Sequence, residues 1–267
     1  YKDSTNDGRY GWIADIKAAG DEYSEYTDFN IAPDYSDTPP SNRTPFNDVD
    51  NYLTVTNYYQ QRKVYANTFN QPQTVYTSQV GYYDSMRTSN PLRDDDALTF
   101  TIASNKVNEI RHLVSLDSLI PLTSGGEWMI TEGQDQVLTP STLGARIKSY
   151  NGASWTEPAI IDDSVIYVQE KGNRIRDLKY SVADNIYQGN DLSIMAEHLF
   201  EDKQITEMVY ADEPYSILWC VRDDGALLGM TYNREQNVWA WHQHNTQGNF
   251  ESIATIGEDD RDAVYVC

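Results

Sequence analysis

Cationic residues are scarce in this chain of 267 residues, where 20 Lys and Arg face 41 Asp and Glu and the formal net charge at pH 7 is −21. Tight binding to nucleic-acid phosphates needs clustered Lys and Arg, so this composition argues against that function class. It is compatible with a passage for DNA, because an acidic wall repels phosphates and keeps a polyanion from adhering. The simplest interpretation of the charge is solubility alone.

Cysteines and long apolar runs are also rare. The two cysteines do not make a disulfide framework, since Cys220 lies in an apolar run typical of a buried strand and Cys267 is the last residue. No apolar run approaches the roughly 18 residues of a membrane-spanning helix. No signal peptide is visible at Tyr1, where the sequence starts as a fragment would.

Five short apolar runs recur at similar intervals and are the clearest feature present. Counted from Val64 through Ile120, Ile166 and Leu218 to Val264, they are separated by 56, 46, 52 and 46 residues. A repeat of about 40–50 residues made of short strands is the signature of a β-propeller blade. The sequence therefore predicts an all-β fold of β-propeller-like blades with short antiparallel strands. The fifth run has no partner run after it, so we expect the chain to stop inside a blade.

Residues 1–50 differ from the rest of the chain. Polar residues and prolines dominate from Tyr23 to Asp50 and no regular period survives there, so we predict that residues 1–50 form an irregular arm or insertion. Residues 51–267 form the β-propeller-like domain in this interpretation. Within it, Asp191–Phe200 spaces its apolar residues as a helix does, and we predict a short helix with Asp191 as its N-cap. The segment Val107–Val114 fits either a strand or a short helix.

Acidic clusters are the first candidates for chemistry. Asp94, Asp95 and Asp96 could bind a divalent cation through several oxygens, but EF-hand spacing and its glycine are missing, which favours a solvated acidic loop. Asp223 and Asp224 lie in a predicted hairpin turn. In a passage for DNA, acids of this kind are candidates to face the channel.

Histidine and arginine supply the remaining candidates. His242 and His244 are two residues apart on a predicted strand, so they share one face. Two imidazoles can begin a zinc site, but four ligands are usual and no third is near in sequence, which favours a surface or interface pair. Arg174 and Arg176 also share a strand face, and with Arg111 they are candidates for subunit pairing. Their alternative role is pairing with neighbouring acids, which contributes little at a surface.

Eight separated motifs follow one another over roughly residues 50–265. They are 58–66 (YYQQRKVYA), 70–76 (NQPQTVY), 94–100 (DDDALTF), 108–113 (NEIRHL), 123–128 (TSGGEW), 189–192 (GNDL), 220–225 (CVRDDG) and 239–242 (WAWH). In the same order, they resemble motifs of tail proteins of short-tailed bacteriophages. The chain is similar to the tail nozzle family, also called tail tubular protein B, and to the related tail hub or DNA-stabilisation proteins.

The resemblance implies a structural virion protein of the tail, with no catalytic residues, no cofactor and no metal. It implies a homohexameric ring below the portal and the head-to-tail adaptor. The channel of such a ring passes the DNA without sequence-specific binding, and its outer side carries tail fibres or spikes. Residues 1–50 match the family less well, and members of the family are longer than this chain.

The alternative function is a propeller-type module of a phage tail that binds or degrades glycans. Gly-x-Ser-x-Gly, phosphate-loop and His-Glu-x-x-His patterns are absent from the sequence. An enzyme stays in consideration because propeller enzymes often carry no local motif. A pocket of converging carboxylates would indicate the glycan module, whereas large subunit contacts without such a pocket would indicate the nozzle.

Overall fold

The computed structural model describes residues 51–104, 107–131, 137–181, 186–233, 236, 238–258 and 260–267, and the predicted arm at 1–50 lies outside them. Within the described residues the chain is almost entirely β-structure, with one short 3-10 helix at Ile194–Leu199. The strands are β1 (Val55–Tyr59), β2 (Arg62–Ala66), β3 (Thr74–Thr77), β4 (Leu98–Thr101), β5 (Ile110–Ser115), β6 (Leu119–Thr123), β7 (Gly126–Thr131), β8 (Gly144–Ser149), β9 (Ala159–Ile161), β10 (Ser164–Val168), β11 (Ile175–Ser181), β12 (Ile186–Gln188), β13 (Ile205–Ala211), β14 (Ile217–Arg222), β15 (Leu227–Asn233), β16 (Val238–His244), β17 (Ile253–Glu258) and β18 (Arg261–Val266).

These strands form small sheets in chain order. Four sheets have four strands each (β1–β4, β5–β8, β9–β12 and β13–β16), and β17 pairs with β18. Every pairing whose register is described is antiparallel. The five repeated apolar runs are the second strands of the five sheets, namely β2, β6, β10, β14 and β18. The predicted all-β fold of short antiparallel, blade-like sheets is therefore confirmed.

The chain divides into two compact units, residues 1–123 with 128–147 and residues 124–127 with 148–267. The first unit has a core of apolar side chains that comes from β1 to β6 and from residues 128–147. The first strands of its two sheets, β1 and β5, contact each other. The Tyr59 hydroxyl also donates a 3.1 Å hydrogen bond to the carbonyl of Asp117, which follows β5.

The second unit has a core that takes in β9 to β11, the 3-10 helix and β13 to β15. Trp239 and Trp241 of β16 pack against this core as partly buried side chains. The first strands of its sheets are again neighbours, and β13 contacts both β9 and β17. In both units neighbouring sheets thus meet through their first strands, as neighbouring blades do in a propeller.

The segment predicted as a short helix contains the 3-10 helix, but its N-cap differs from the prediction. The N-cap is Ser193, which makes no side-chain cap hydrogen bond. Asp191 lies before it and accepts hydrogen bonds at Oδ1 from the amide (3.0 Å) and hydroxyl (2.6 Å) of Ser193. The prediction of Asp191 as N-cap is therefore wrong, because its carboxylate closes a local turn ahead of the helix. The ambiguous segment 107–114 contains the start of a strand, β5.

Candidate functional site

The loop of three aspartates closes over a buried arginine. Arg62 lies on β2 and is only 1% exposed. Its Nη1 donates hydrogen bonds to the carbonyls of Ser78 (2.9 Å) and Asp96, and its Nη2 donates to the carbonyl of Asp94 (2.8 Å). Burial lowers the pKa of Arg62, whereas the charges of Asp95 and Asp96 oppose that shift. The Arg62 guanidinium therefore holds the aspartate loop through backbone carbonyls of that loop.

Asp96 is fully buried under this loop, in contrast to its two neighbours. Its carboxylate accepts hydrogen bonds from the amides of Ser89 (2.8 Å) and Arg93 (2.9 Å) and from the Ser89 hydroxyl (2.9 Å). Burial alone would raise the pKa of Asp96, but these hydrogen bonds outweigh it and the pKa is lowered. The expected solvated loop holds for Asp94 and Asp95, whose side chains are exposed, and is wrong for Asp96.

The two aspartates of the β14–β15 turn also differ from each other. Arg222 Nε donates a 2.8 Å hydrogen bond to Oδ1 of Asp224, and Lys203 Nζ lies 3.4 Å from Oδ2 of the same carboxylate. The hydrogen bonds from Arg222 hold the pKa of Asp224 well below its ordinary value. The Asp223 side chain is exposed, while its amide donates to the carbonyl of Gln204 at 2.9 Å.

The histidine pair lies on one face of β16, as its spacing predicts. The ring centroids of His242 and His244 are 4.9 Å apart. Both rings contact Trp219 of β14, with centroid distances of 5.7 Å for His242 and 5.3 Å for His244. Burial, and then the neighbouring His244, lower the pKa of His242. The three rings form one cluster, which we call the Trp–His cluster.

A glycine makes room for this cluster. Gly229 of β15 lies opposite Trp219 on one side and opposite His242 on the other. A Cβ atom added to Gly229 would fall 2.2 Å from Nε2 of His242. The His242 ring therefore occupies the space that a side chain at position 229 would fill, next to the indole of Trp219.

Two of the candidate arginines are held by partners within the chain. Arg111 forms an ion pair with Glu109, with 2.8 Å between Nη2 and Oε1. Arg176 donates a 3.1 Å hydrogen bond from Nε to Oε1 of Gln169. Arg111 thus has the acidic neighbour that the sequence left open as the alternative to subunit pairing, whereas the partner of Arg176 is an amide oxygen.

Arg174 borders an open cleft of about 390 Å³ beside the 3-10 helix. Its Nη1 lies 2.9 Å from Oδ2 of Asp191, and its Nη2 lies 3.5 Å from Oε1 of Glu197. Glu201 and Asp202 also line the cleft. The guanidinium therefore ties the turn before the helix to the helix itself, and four of the ten residues that line the cleft are acidic.

The sequence alone did not single out an exposed aromatic group that β1, β2 and the segment between β3 and β4 form together. The rings of Tyr58 and Tyr83 meet edge to face with centroids 5.4 Å apart. Lys63 Nζ lies 6.0 Å from the ring centroid of Tyr58 and 5.2 Å from that of Tyr65. We call these four residues the tyrosine cluster. The signal that could have revealed it is the alternation of Tyr58, Lys63 and Tyr65 with the buried side chains of the same hairpin.

A buried carboxylate was also missed. Glu127 is 0% exposed, and the Ser149 hydroxyl donates a hydrogen bond to its Oε2. Asn151 Nδ2 in turn donates to the Ser149 hydroxyl at 2.7 Å. Burial, and then Glu127, raise the pKa of the Tyr167 phenol, which keeps it neutral. Within the described residues, Glu127 Oε1 and the Tyr167 hydroxyl have no hydrogen-bond partner.

Among the described residues, no group of three or more His, Cys, Asp or Glu side chains is placed to hold a metal ion. The described part of the chain also contains no helix that is long and apolar enough to cross a membrane.

Comparisons with known proteins give only distant likenesses. No protein-family model matches the chain. No curated protein matches it either. One similar solved structure is a luciferin-regenerating enzyme, with a TM-score of 0.32, 11% identity, and coverage of 78% of this chain and 80% of that one. Another is Hsv2p of Kluyveromyces lactis, with a TM-score of 0.37, 10% identity, and coverage of 72% of this chain and 60% of that one.

Proposed function

We propose that this chain is a structural, non-catalytic subunit of a short-tailed phage tail, of the nozzle type. Six copies would form a ring around the channel through which the genome leaves the particle. The ring would meet the head-to-tail adaptor on one side and carry tail fibres or spikes outside. The observation that carries the proposal is the ordered series of eight motifs that resembles the nozzle family.

The places of these motifs in the fold support a scaffold role. Motifs 58–66 and 94–100 are joined by the hydrogen bonds from Arg62 to the carbonyls of the aspartate loop. Motifs 70–76 and 108–113 are joined by a 3.0 Å hydrogen bond from the Ile110 amide to the Pro72 carbonyl. The motif residues thus hold distant parts of the chain together, which is what a rigid subunit requires.

The same holds in the second unit. Trp241 Nε1 donates a 2.8 Å hydrogen bond to the carbonyl of Leu192, which joins motifs 239–242 and 189–192. Arg222 of motif 220–225 donates from Nη1 to the carbonyl of Leu199 at 2.6 Å, at the end of the 3-10 helix. These side chains bind backbone carbonyls, so the motifs favour a structural over a catalytic role.

The acidic surface fits a corridor for DNA. Asp94, Asp95 and Asp223 expose their side chains, whereas Asp96 is buried and Asp224, although exposed, is paired with Arg222. In the proposed ring, exposed acids of this kind would face the lumen and let the polyanion slide. Reversing the charge with Asp94→Lys and Asp95→Lys in assembled particles is expected to slow genome ejection. Unchanged ejection would count against the sliding role.

Native mass spectrometry of the 267-residue chain, alone and with the adaptor, tests the ring. The expected species is a hexamer, with six times the chain mass of 30.5 kDa. A heterologous interface that closes by rotation produces such a ring. A chain that stays monomeric in both samples, and that cleaves or binds a surface polysaccharide, would overturn the proposal.

A glycan module is the second candidate, and the tyrosine cluster is the observation that favours it. Tyr58 is 57% exposed and Tyr83 is 44% exposed, so aromatic faces are available to a ligand at this surface. This candidate would be supported if the monomer binds to a glycan array and Tyr58→Ala abolishes that binding. Binding that is equal in both proteins, or absent from both, would remove its support.

A further inference from the structure

The two histidines of the Trp–His cluster lie on the outer strand of their sheet, whereas Trp219 packs against the β17–β18 hairpin. β16 is the outermost strand of β13–β16. The apolar contact between this sheet and the β17–β18 hairpin takes in residues of β13, β14 and β15, such as Val209, Trp219 and Leu227, and none of the described residues of β16. On β16, His242 is half-buried and His244 is exposed. The His244 ring is therefore open to a small ligand, and the His242 ring is open in part.

The separation of the rings suits a shared metal ion. A zinc–nitrogen bond of about 2.0–2.1 Å places the metal about 3.2 Å from an imidazole centroid. Two imidazoles on one metal then have centroids about 4.5 Å apart at a right angle and about 5.2 Å apart at the tetrahedral angle. The observed separation for His242 and His244 is 4.9 Å, between these limits.

The neighbouring strands restrict where His242 can lie. The ring fills the space above Gly229 and contacts the indole of Trp219. A ligand whose position is restricted before binding loses less side-chain entropy when the metal arrives. The sheet thus supplies the positioning that two histidines on a free segment would lack.

We propose that His242 and His244 form a two-imidazole chelate for a divalent transition metal, a site that goes beyond the proposed structural function. Imidazole nitrogens suit Cu²⁺, Ni²⁺ and Zn²⁺, whereas Mg²⁺ and Ca²⁺ prefer oxygen ligands. The affinity should be highest for Cu²⁺ by the Irving–Williams order. Because the described residues offer no third side chain of the metal-binding types in this group, water completes the coordination and leaves exchangeable positions.

The test is a titration of the full chain with Cu²⁺, followed by tryptophan fluorescence and by electron paramagnetic resonance. Bound Cu²⁺ is expected to quench the fluorescence of Trp219. If the Cu²⁺-dependent quenching is lost in Trp219→Phe, the quenched emission belongs to Trp219. His242→Gln and His244→Gln should each raise the apparent Kd at least about tenfold. His198→Gln is the matched control, since that histidine is exposed on the 3-10 helix.

A second variant keeps both histidines and changes only their positions. In Gly229→Ala the added Cβ collides with Nε2 of His242, so the ring must swing away and the Kd should also rise. Circular dichroism checks that each variant is folded. Cu²⁺ binding that is as tight in the His242→Gln, His244→Gln double variant as in the unaltered chain would overturn the proposal. Absence of Cu²⁺ binding by the folded, unaltered chain would overturn it as well.

Discussion

Replacing Arg62 by methionine is expected to loosen the first unit strongly. The substitution keeps a long side chain in a site that is only 1% exposed, but removes the guanidinium donors that hold the backbone carbonyls of the aspartate loop. The carbonyls of Ser78, Asp94 and Asp96 lose their hydrogen bonds from the guanidinium, and so does that of Leu138 at 3.4 Å.

The expected loss follows from the number of buried bonds. A hydrogen bond to a charged group contributes about 1.5–3 kcal/mol, and the bonds to Ser78 and Asp96 are both buried. The bond to Asp94 is partly buried and the bond to Leu138 is long, so we assign them little. Methionine also removes the cost of burying a cation, which offsets part of the loss. We expect the free energy of unfolding to fall by about 3 kcal/mol.

Hydrogen exchange followed by mass spectrometry measures this loss locally, which matters because a chain of two units need not unfold in one step. Peptides from 51–104 should lose protection in Arg62→Met, while peptides from 205–233 should keep theirs. Lys63→Met is the matched control, since Lys63 neighbours Arg62 on the opposite face of β2, and we expect a change below about 0.5 kcal/mol. Equal protection of 51–104 in both variants would refute the role assigned to Arg62.

Three further predictions concern stability. Gly225 has φ +79° and an added Cβ would lie 2.3 Å from Cβ of Asn249, so Gly225→Ala should lower the urea-unfolding free energy by at least about 1 kcal/mol; no change would contradict the tight turn. Arg222 lowers the folded-state pKa of Asp224, so this ion pair stabilises the fold above the unfolded-state pKa of about 3.9, and the stabilisation is lost as the pH falls below that value. Asp224→Asn should therefore flatten the acid side of a plot of stability against pH. An unchanged acid side would count against the pair. Burial raises the pKa of Tyr76 from 10.0 to about 12, so the neutral phenol stabilises the fold below pH 10, and this contribution is lost as the pH rises from 10 to about 12. The stability of Tyr76→Phe should therefore fall less at alkaline pH than that of the unaltered chain. An equal fall in both proteins would argue against the shift.

The second strands of the four-stranded sheets could be predicted from the sequence because each lies between two neighbours and is largely buried. All five residues of β10 are buried, and so are all five of β6, which makes both strands short apolar runs. β9 has only three residues and β8 has no fully buried residue, so neither carries a strong pattern. First and outer strands are therefore harder to find than second strands, since part of their surface faces solvent.

The chemistry of the candidate residues depended on partners far away in the sequence. The sequence shows that residues 94–96 are acidic. It does not show that Asp96 is buried, because the partner Arg62 lies far away in the sequence, on β2. The shared face of His242 and His244 follows from local spacing and was predictable. Trp219 and Gly229 join that face only through the register of β14, β15 and β16, which single-sequence patterns do not contain.

Cryo-electron microscopy of the purified chain shows whether six copies assemble into a ring. We expect particles with sixfold symmetry, an open axial channel with acidic side chains on its wall, and blade-like sheets in each subunit. A single-copy particle, or an assembly without an axial opening, would contradict the proposed function.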